Sequence, residues 1–278
     1  MSVIDNWQQR IVLLANNSLY AELKCYPKAG LVSFKDSGSH QDMDHHTFLA
    51  SIKVLDSYWS QMVELGINNA PFPELVTAGQ LAENTMLNAT NGINTHRGAI
   101  FIIGILVAAC AAAYSTNSKI NSIPKLIRSL WGEAILKHRT PKTSHGQQVR
   151  DKYSLSNNCD IIQHAAGGFE DIFSEYLPLL KQFYLEHNEA AYLQLFYYLL
   201  AQVEDTNLLY RGGLTGLKFA QEQARSFING GGITQNDWLL QAQLIHQQFI
   251  ARNLSPGGCA DLLAATIFVY HAEVDLWA

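Results

Sequence analysis

The stretch "AIFIIGILVAACAAAY", Ala99 to Tyr114, carries no charged side chain. A helix built from it has no polar stripe to offer water, so other elements must cover it on all sides. It falls short of the roughly 18 consecutive apolar residues that favour a membrane span. His96 and Arg97 stand directly at its start. These features predict a buried central helix around which the rest of the chain is wrapped.

The flanking sequence has the periodicity to do the wrapping. Trp7, Ile11, Leu14 and Leu19 approximate one face of a helix within residues 5–24, and Phe48, Ile52, Leu55, Trp59 and Val63 do so within residues 47–65. Residues 183–203 and 238–249 read the same way, and no segment sustains the period-two alternation of a strand. Breaks fall where Gly, Pro and Asn cluster, at "YPKAG", "NNAPFP", "TNGIN", "NGGGITQND" and "LSPGG", with "STNSKINSIP" as a surface loop. The expectation is an all-α bundle of about ten helices, one domain spanning residues 1–278, with no linker or internal repeat. With 48% hydrophobic and 15% charged residues, the chain has the apolar content to bury such a core.

A net charge of -5 and the absence of a Lys/Arg cluster exclude the basic face that a duplex nucleic-acid binder needs. Cys25, Cys110, Cys159 and Cys259 form no C-x-x-C pair, so neither a zinc knuckle nor a disulfide framework is expected. The opening "MSVIDNWQQRIVLLANN" lacks the pattern of a secretory signal. Reduced thiols in a cytoplasmic protein, with no membrane or nucleic-acid partner, are the expectation. The apolar helices also offer a face for a homodimer.

Three junctions share one design, a glycine-containing polar turn running straight into an apolar helix: "GINTHRGAIF", "DTNLLYRGGLTGLKFA" and "LSPGGCADLLAATIF". Helix N-termini present unpaired N–H groups and the positive end of the dipole, and glycine lets an anion approach the backbone. Candidate contacts are Asn94, Thr95, His96, Arg97 and Gly98 in the first, Asn207, Arg211, Gly212 and Gly213 in the second, and Ser255, Gly257 and Gly258 in the third. Carboxylates accompany them: Glu204 and Asp205 before the second, Asp261 after the third, and Asp42 and Asp44 in "GSHQDMDHHTF". Hard oxygen ligands beside phosphate-cradling turns suit a metal-bound nucleotide, and aspartates in these positions equally suit N-capping. His40 and His96 stand next to the turns, whereas His45 and His46 are adjacent and diverge on a helix.

"YPKAGLVS", "SGSHQDMDHHTFLASI", "GINTHRGAIFIIGIL", "EDTNLLYRGGLTGL" and "RNLSPGGCADLLAAT", in that order from about Leu19 to Phe268, together resemble the triphosphoribosyl-dephospho-coenzyme A synthases, an all-helical family. The resemblance implies transfer of the 5-triphosphoribosyl group of ATP to a ribose hydroxyl of 3'-dephospho-coenzyme A, with release of adenine. The product is the precursor of a prosthetic group on an acyl carrier subunit of citrate lyase or malonate decarboxylase. "DSGSHQDMD" looks closer to the malonate decarboxylase branch. On this resemblance Asp42, Asp44, Asp205 and Asp261 hold Mg²⁺ on the triphosphate, and Lys28, Arg97 and Arg211 neutralise the remaining charge, with Ser39 among the contacts. Asp44 is the favoured proton acceptor and His40 its alternative.

The sequence departs from the family pattern in two places. Ala29 stands where a second proline is usual, and residues 152–169, where the family carries a glycine-rich turn with Arg followed by an acidic residue, contain neither Arg nor Glu. Two competing readings follow, a degenerate relative that binds ATP or a coenzyme A derivative without catalysis, and an all-helical dimetal hydrolase of an N-glycosidic bond.

Overall fold

The structure, a computed structural model, describes residues 7–138, 149 and 160–277. Every regular element among them is helical. The first half contains α1 (Trp7–Lys24), α2 (His45–Lys53), α3 (Asp56–Ile67), α4 (Phe72–Ala89) and α5 (Arg97–Ser115). Then come α6 (Ile123–Ile127), a π turn (Arg128–Gly132) and α7 (Glu133–Lys137). The second half contains α8 (Ile161–Ala166), a π turn (Ile172–Tyr176), α9 (Leu177–His187), α10 (Ala190–Gln202), α11 (Thr206–Asn229), α12 (Trp238–Ala251) and α13 (Gly257–Leu276).

The apolar run is α5, the central helix. Its residues from Ile102 to Ala113 are all buried, and α1, α3, α4 and α13 pack around it. This is the one helix among the described residues long and apolar enough to cross a membrane, and 78% of the stretch is covered by the protein itself. Its packing is close because small residues face their neighbours. A side-chain carbon at Gly66 of α3 would overlap the Ala108 carbonyl of α5, and one at Gly104 would overlap the Tyr58 hydroxyl, which donates to the Ile100 carbonyl at 2.9 Å. One continuous cluster of buried side chains runs from Ile11 to Val269.

Two stretches that the spacing reads as single helices are divided. Between α2 and α3 the amides of Val54 and Leu55 turn back to the carbonyls of Ser51 and Ile52, three residues earlier. That tightening ends one helix and lets fully buried Leu55 begin the next. Between α9 and α10 Asn188 takes a positive φ of 48°, a conformation asparagine tolerates better than most residues. A third break lies inside α11, where Gly213 leaves helical geometry at φ 59° and ψ −163°.

Residues 25–40 form an irregular segment pinned by buried polar groups. Lys28 has no exposed surface; its ammonium donates to the carbonyls of Glu22 at 2.6 Å and Cys25 at 2.8 Å and lies 3.3 Å from the Glu22 carboxylate. His246 of α12 reaches Asp36 through Nε2 at 3.0 Å. Ser39 donates to the Leu254 carbonyl at 2.6 Å. The chain entering α2 is thereby tied to the turn before α13.

The α3–α5 contact yields a paired test. Gly66→Ala drives a methyl into the Ala108 backbone and should cost about 1–3 kcal/mol. Gly79→Ala, whose added carbon meets only the Tyr58 hydroxyl at 3.7 Å, should gain about 0.5–1 kcal/mol of helix stability. Urea unfolding of the two variants should therefore move in opposite directions.

Candidate functional site

The three glycine junctions are the N-termini of α5, α11 and α13, and they meet around one cavity of about 650 Å³. That volume lies within the usual range for small-molecule sites, roughly 300–1,000 Å³. Asp205 joins two of the three. It is 1% exposed; Oδ1 accepts from the amides of Asn207 (2.8 Å) and Leu208 (3.1 Å), capping α11, and Oδ2 accepts from the Cys259 amide (2.9 Å) in the first turn of α13. Asp261 joins the third, since its carboxylate accepts from the Ala99 amide in the first turn of α5. Glycines make these approaches possible. A side-chain carbon at Gly98 would overlap the Asp261 carboxylate, and at Gly258 and Gly257 it would lie 3.0 Å from Asp205 Oδ2 and 2.8 Å from Asn207 Nδ2.

This end of the cavity is rich in carboxylates. Glu22, Asp205 and Asp261 all line it, and burial pushes each carboxyl upward. For Glu22 the Lys28 charge opposes burial, and for Asp205 its three amide donors do. Asp261 is raised well above the usual range by burial and then by the neighbouring charges of Asp205 and Glu22. Such a cluster favours uptake of a proton or a cation.

A second polar group of the cavity is built around His40. Its Nε2 lies 2.9 Å from Ser255 Oγ and its Nδ1 3.3 Å from Arg211 Nη2 and 3.4 Å from Asp42 Oδ1. Burial and the Arg211 charge lower the His40 pKa, while Asp42 works against them, so the imidazole is neutral at pH 7 and can accept a proton. Arg211 is positioned through Nη1 by the Ser39 carbonyl (3.2 Å) and the Asn253 side chain (2.8 Å). Arg97 also lines the cavity, paired with Glu83 at 3.0 Å. Beyond these groups the walls are apolar and aromatic, including Phe48, Tyr58, Phe72, Phe101, Ile162 and Tyr176.

His96 completes the lining. It is 3% exposed, bonded through Nδ1 to Ser51 Oγ at 2.7 Å, and burial pushes its pKa down to about 3. Its Nε2 and the Thr95 Oγ1 are buried without a hydrogen-bond partner among the described residues. An unmatched buried polar atom costs about 1–3 kcal/mol, so both atoms suit contact with a ligand.

The family model for CitG, ATP:dephospho-CoA triphosphoribosyl transferase, matches residues 8–278. The chain belongs to this triphosphoribosyl transferase family. Among its relatives, a probable 2-(5''-triphosphoribosyl)-3'-dephosphocoenzyme-A synthase of Acinetobacter calcoaceticus is 35% identical over 276 residues, 97% of this chain and 93% of the relative. The 2-(5''-triphosphoribosyl)-3'-dephosphocoenzyme-A synthase of Klebsiella pneumoniae is 33% identical over 94% of this chain and 90% of its own length. No solved structure matches.

For this triphosphoribosyl transferase, His40, Asn94, Thr95, His96, Arg97, Gly98, Asp205, Asn207, Arg211, Ser255, Gly257, Gly258 and Asp261 all line the one cavity. The other expected residues do not line it. Lys28 is enclosed by backbone carbonyls and touches the site only through Glu22. Ser39 braces the Leu254 turn. Gly212 packs against the Leu254 side chain, and Gly213 supplies the kink in α11. Asp44 caps α2, its Oδ1 accepting from the Thr47 amide and hydroxyl at 3.0 Å each. Asp42 has a 62% exposed side chain beside His40. The four aspartates are thus not gathered into one metal cage, and among the described residues no three His, Cys, Asp or Glu side chains form one. Asn94 and Asp205 act as caps as well as lining, Asn94 Oδ1 accepting from the Arg97 amide at 3.1 Å.

Glu22 and Glu83 were not expected in the site. Glu22 occupies the buried stripe of Ile11, Ala15, Ser18 and Leu19, and a carboxylate on an apolar helix face is the signal that identifies it. Residues 152–159 lie outside the described residues. Next to them, Ile161, Ile162 and His164 line the cavity, and the turn at Gly167 receives Arg128, which donates to its carbonyl at 2.9 Å and pairs with Glu170. An arginine and an acid therefore do meet at this glycine turn, the arginine arriving from the π turn after α6.

His96 makes stability depend on pH. Its folded pKa of about 3 lies below the free value of 6.5, so between these values the unfolded chain binds the extra proton and stability falls as the pH drops. The contribution is intact above pH 6.5. His96→Phe should reduce the acid-side slope by up to about 1.4 kcal/mol per pH unit, measured by denaturant unfolding across that window.

Proposed function

We propose that this cavity moves the 5-triphosphoribosyl group of ATP onto a ribose hydroxyl of 3'-dephospho-coenzyme A, with adenine as the leaving group. The observation that carries the reading is the meeting of the α5, α11 and α13 N-termini with Arg97 and Arg211 on one cavity, which fits a polyphosphate beside a sugar. Arg211, pre-positioned by Ser39 and Asn253, takes phosphate oxygens together with the start of α13. The apolar and aromatic walls accommodate the less polar parts of the substrates.

The ribose–N9 bond breaks with its electron pair going to the base, and the acceptor hydroxyl forms the new bond to the ribose carbon. His40 takes the hydroxyl proton, and solvent returns a proton to the departing adenine, so the charges balance. His40 fits this role because it is neutral, lines the cavity and is held between Ser255 and Arg211. Asp44 fits it less well, with Oδ1 engaged by Thr47. The carboxylate cluster stabilises oxocarbenium character at the ribose carbon.

Mg²⁺ fits this donor set as an ion carried with the triphosphate. One or two carboxylates suffice when phosphates and water complete the coordination. Asp261 is the carboxylate suited to it, having the Ala99 amide as its backbone donor, whereas Asp205 accepts three amides. The bound ion would supply charge neutralisation to the polyphosphate. The dimetal hydrolase reading lacks its ligand set among the described residues. Assignment to the malonate decarboxylase rather than the citrate lyase pathway rests on "DSGSHQDMD" alone.

Incubation with ATP, Mg²⁺ and dephospho-coenzyme A should release adenine and form one triphosphoribosyl adduct in equal amounts, read by chromatography and mass spectrometry. Adenine released without an adduct would mean that water is the acceptor, and no adenine would leave only binding. His40→Gln should lower kcat by about 10²–10⁴-fold and flatten the acid limb of the kcat/KM profile. Arg211→Ala should raise the KM for ATP more than it lowers kcat.

A further inference from the structure

The cavity's polar groups differ in kind. Arg97 and Arg211 are cations, whereas Thr95 and His96 line it with uncharged groups whose Oγ1 and Nε2 have no partner among the described residues. His96 is firmly oriented. The Phe48 ring meets it edge-on at 4.9 Å, its amide contacts Met86 Sδ at 3.3 Å, and Ser51 Oγ holds Nδ1 at 2.7 Å. Ser51 has no exposed surface, and His96 Nδ1 is the one acceptor found for its hydroxyl among the described residues. A buried hydroxyl proton needs an acceptor. Ser51 therefore donates, Nδ1 accepts, and the ring proton sits on Nε2.

An uncharged N–H and a hydroxyl on consecutive residues match an uncharged acceptor better than a polyphosphate, which the guanidinium groups attract far more strongly. Within a nucleoside triphosphate, such acceptors are the ring nitrogens of the base and the ribose oxygens, and of these only the ring nitrogens gain electron density as the base departs. Building on the proposal that ATP is the donor substrate, we infer that Thr95 and His96 form the purine subsite and that His96 Nε2–H donates to a ring nitrogen of the leaving base, N7 or N3. The bonding electron pair flows onto the base as the ribose–N9 bond breaks, so this bond strengthens toward the transition state and favours departure. His96 transfers no proton. Ser51 is a positioning residue that fixes the tautomer.

The test compares ATP with 7-deaza-ATP and 3-deaza-ATP, each lacking one ring acceptor, in wild-type protein and in His96→Phe. The wild type should lose at least about tenfold in kcat/KM with one analogue. His96→Phe should lose a similar factor with ATP and nothing further with that analogue. Ser51→Ala, a milder change, should reduce kcat for ATP several-fold, and nitrogen-15 NMR of the imidazole should show the Nε2–H tautomer in the wild type and a mixture in the variant. Calorimetric binding of the three nucleotides separates this inference from the reaction. Binding that discriminates between ATP and one analogue without adenine release sinks the transferase reading and leaves the subsite standing. Equal handling of all three nucleotides by the wild type, an undiminished analogue penalty in His96→Phe, or an Nδ1–H tautomer would each overturn it.

Discussion

Asp205 is a carboxylate almost without exposed surface, and the arrangement of the cavity depends on where its two oxygens point. Burying such a group is strongly unfavourable unless hydrogen bonds replace water. Here three amides replace it, two at the start of α11 and one at the start of α13. The same bonds fix the relative position of two helices that are distant in sequence, and those helices carry Asn207, Arg211 and Asp261. Asp261 then engages the start of α5. The central helix, required by its composition to be buried, is thereby aligned with the other two at the end where the polar chemistry gathers.

This alignment sorts charge inside a small volume. Glu22, Asp205 and Asp261 make one region acidic, and Arg211 with His40 and Ser255 makes another suited to anions. Fixed charges and dipoles arranged before substrate enters require little reorganisation during reaction. Two substrates that both carry phosphates and sugars need such sorting, because overall charge alone does not distinguish their parts.

The fold was readable where the cause was local. Residues 99–114 admit no exposed face, and the clusters of Gly, Pro and Asn fall at helix ends and in the connections between helices. The breaks at Val54 and Asn188 were not readable, because apolar spacing continues across both; at the first, fully buried Leu55 begins the next helix, and at the second Asn188 takes a positive φ. The junctions stand out in the sequence as glycine turns running into apolar helices, and in the structure their glycines answer a further need. Gly98, Gly257 and Gly258 admit side chains from the other junctions, and a sequence shows that glycine is present without showing what approaches it. Lys28 illustrates the opposite error. A lysine near an expected phosphate site reads as a surface cation, and only the tertiary structure places backbone carbonyls around it.

That enclosure makes Lys28 chemically silent. An ammonium with no exposed surface, held by three carbonyls and a carboxylate, resists amine-directed acylation for as long as the segment around it stays shut. Its labelling rate then becomes an internal clock for local opening of residues 25–40, separable from the exposed lysines that react at once.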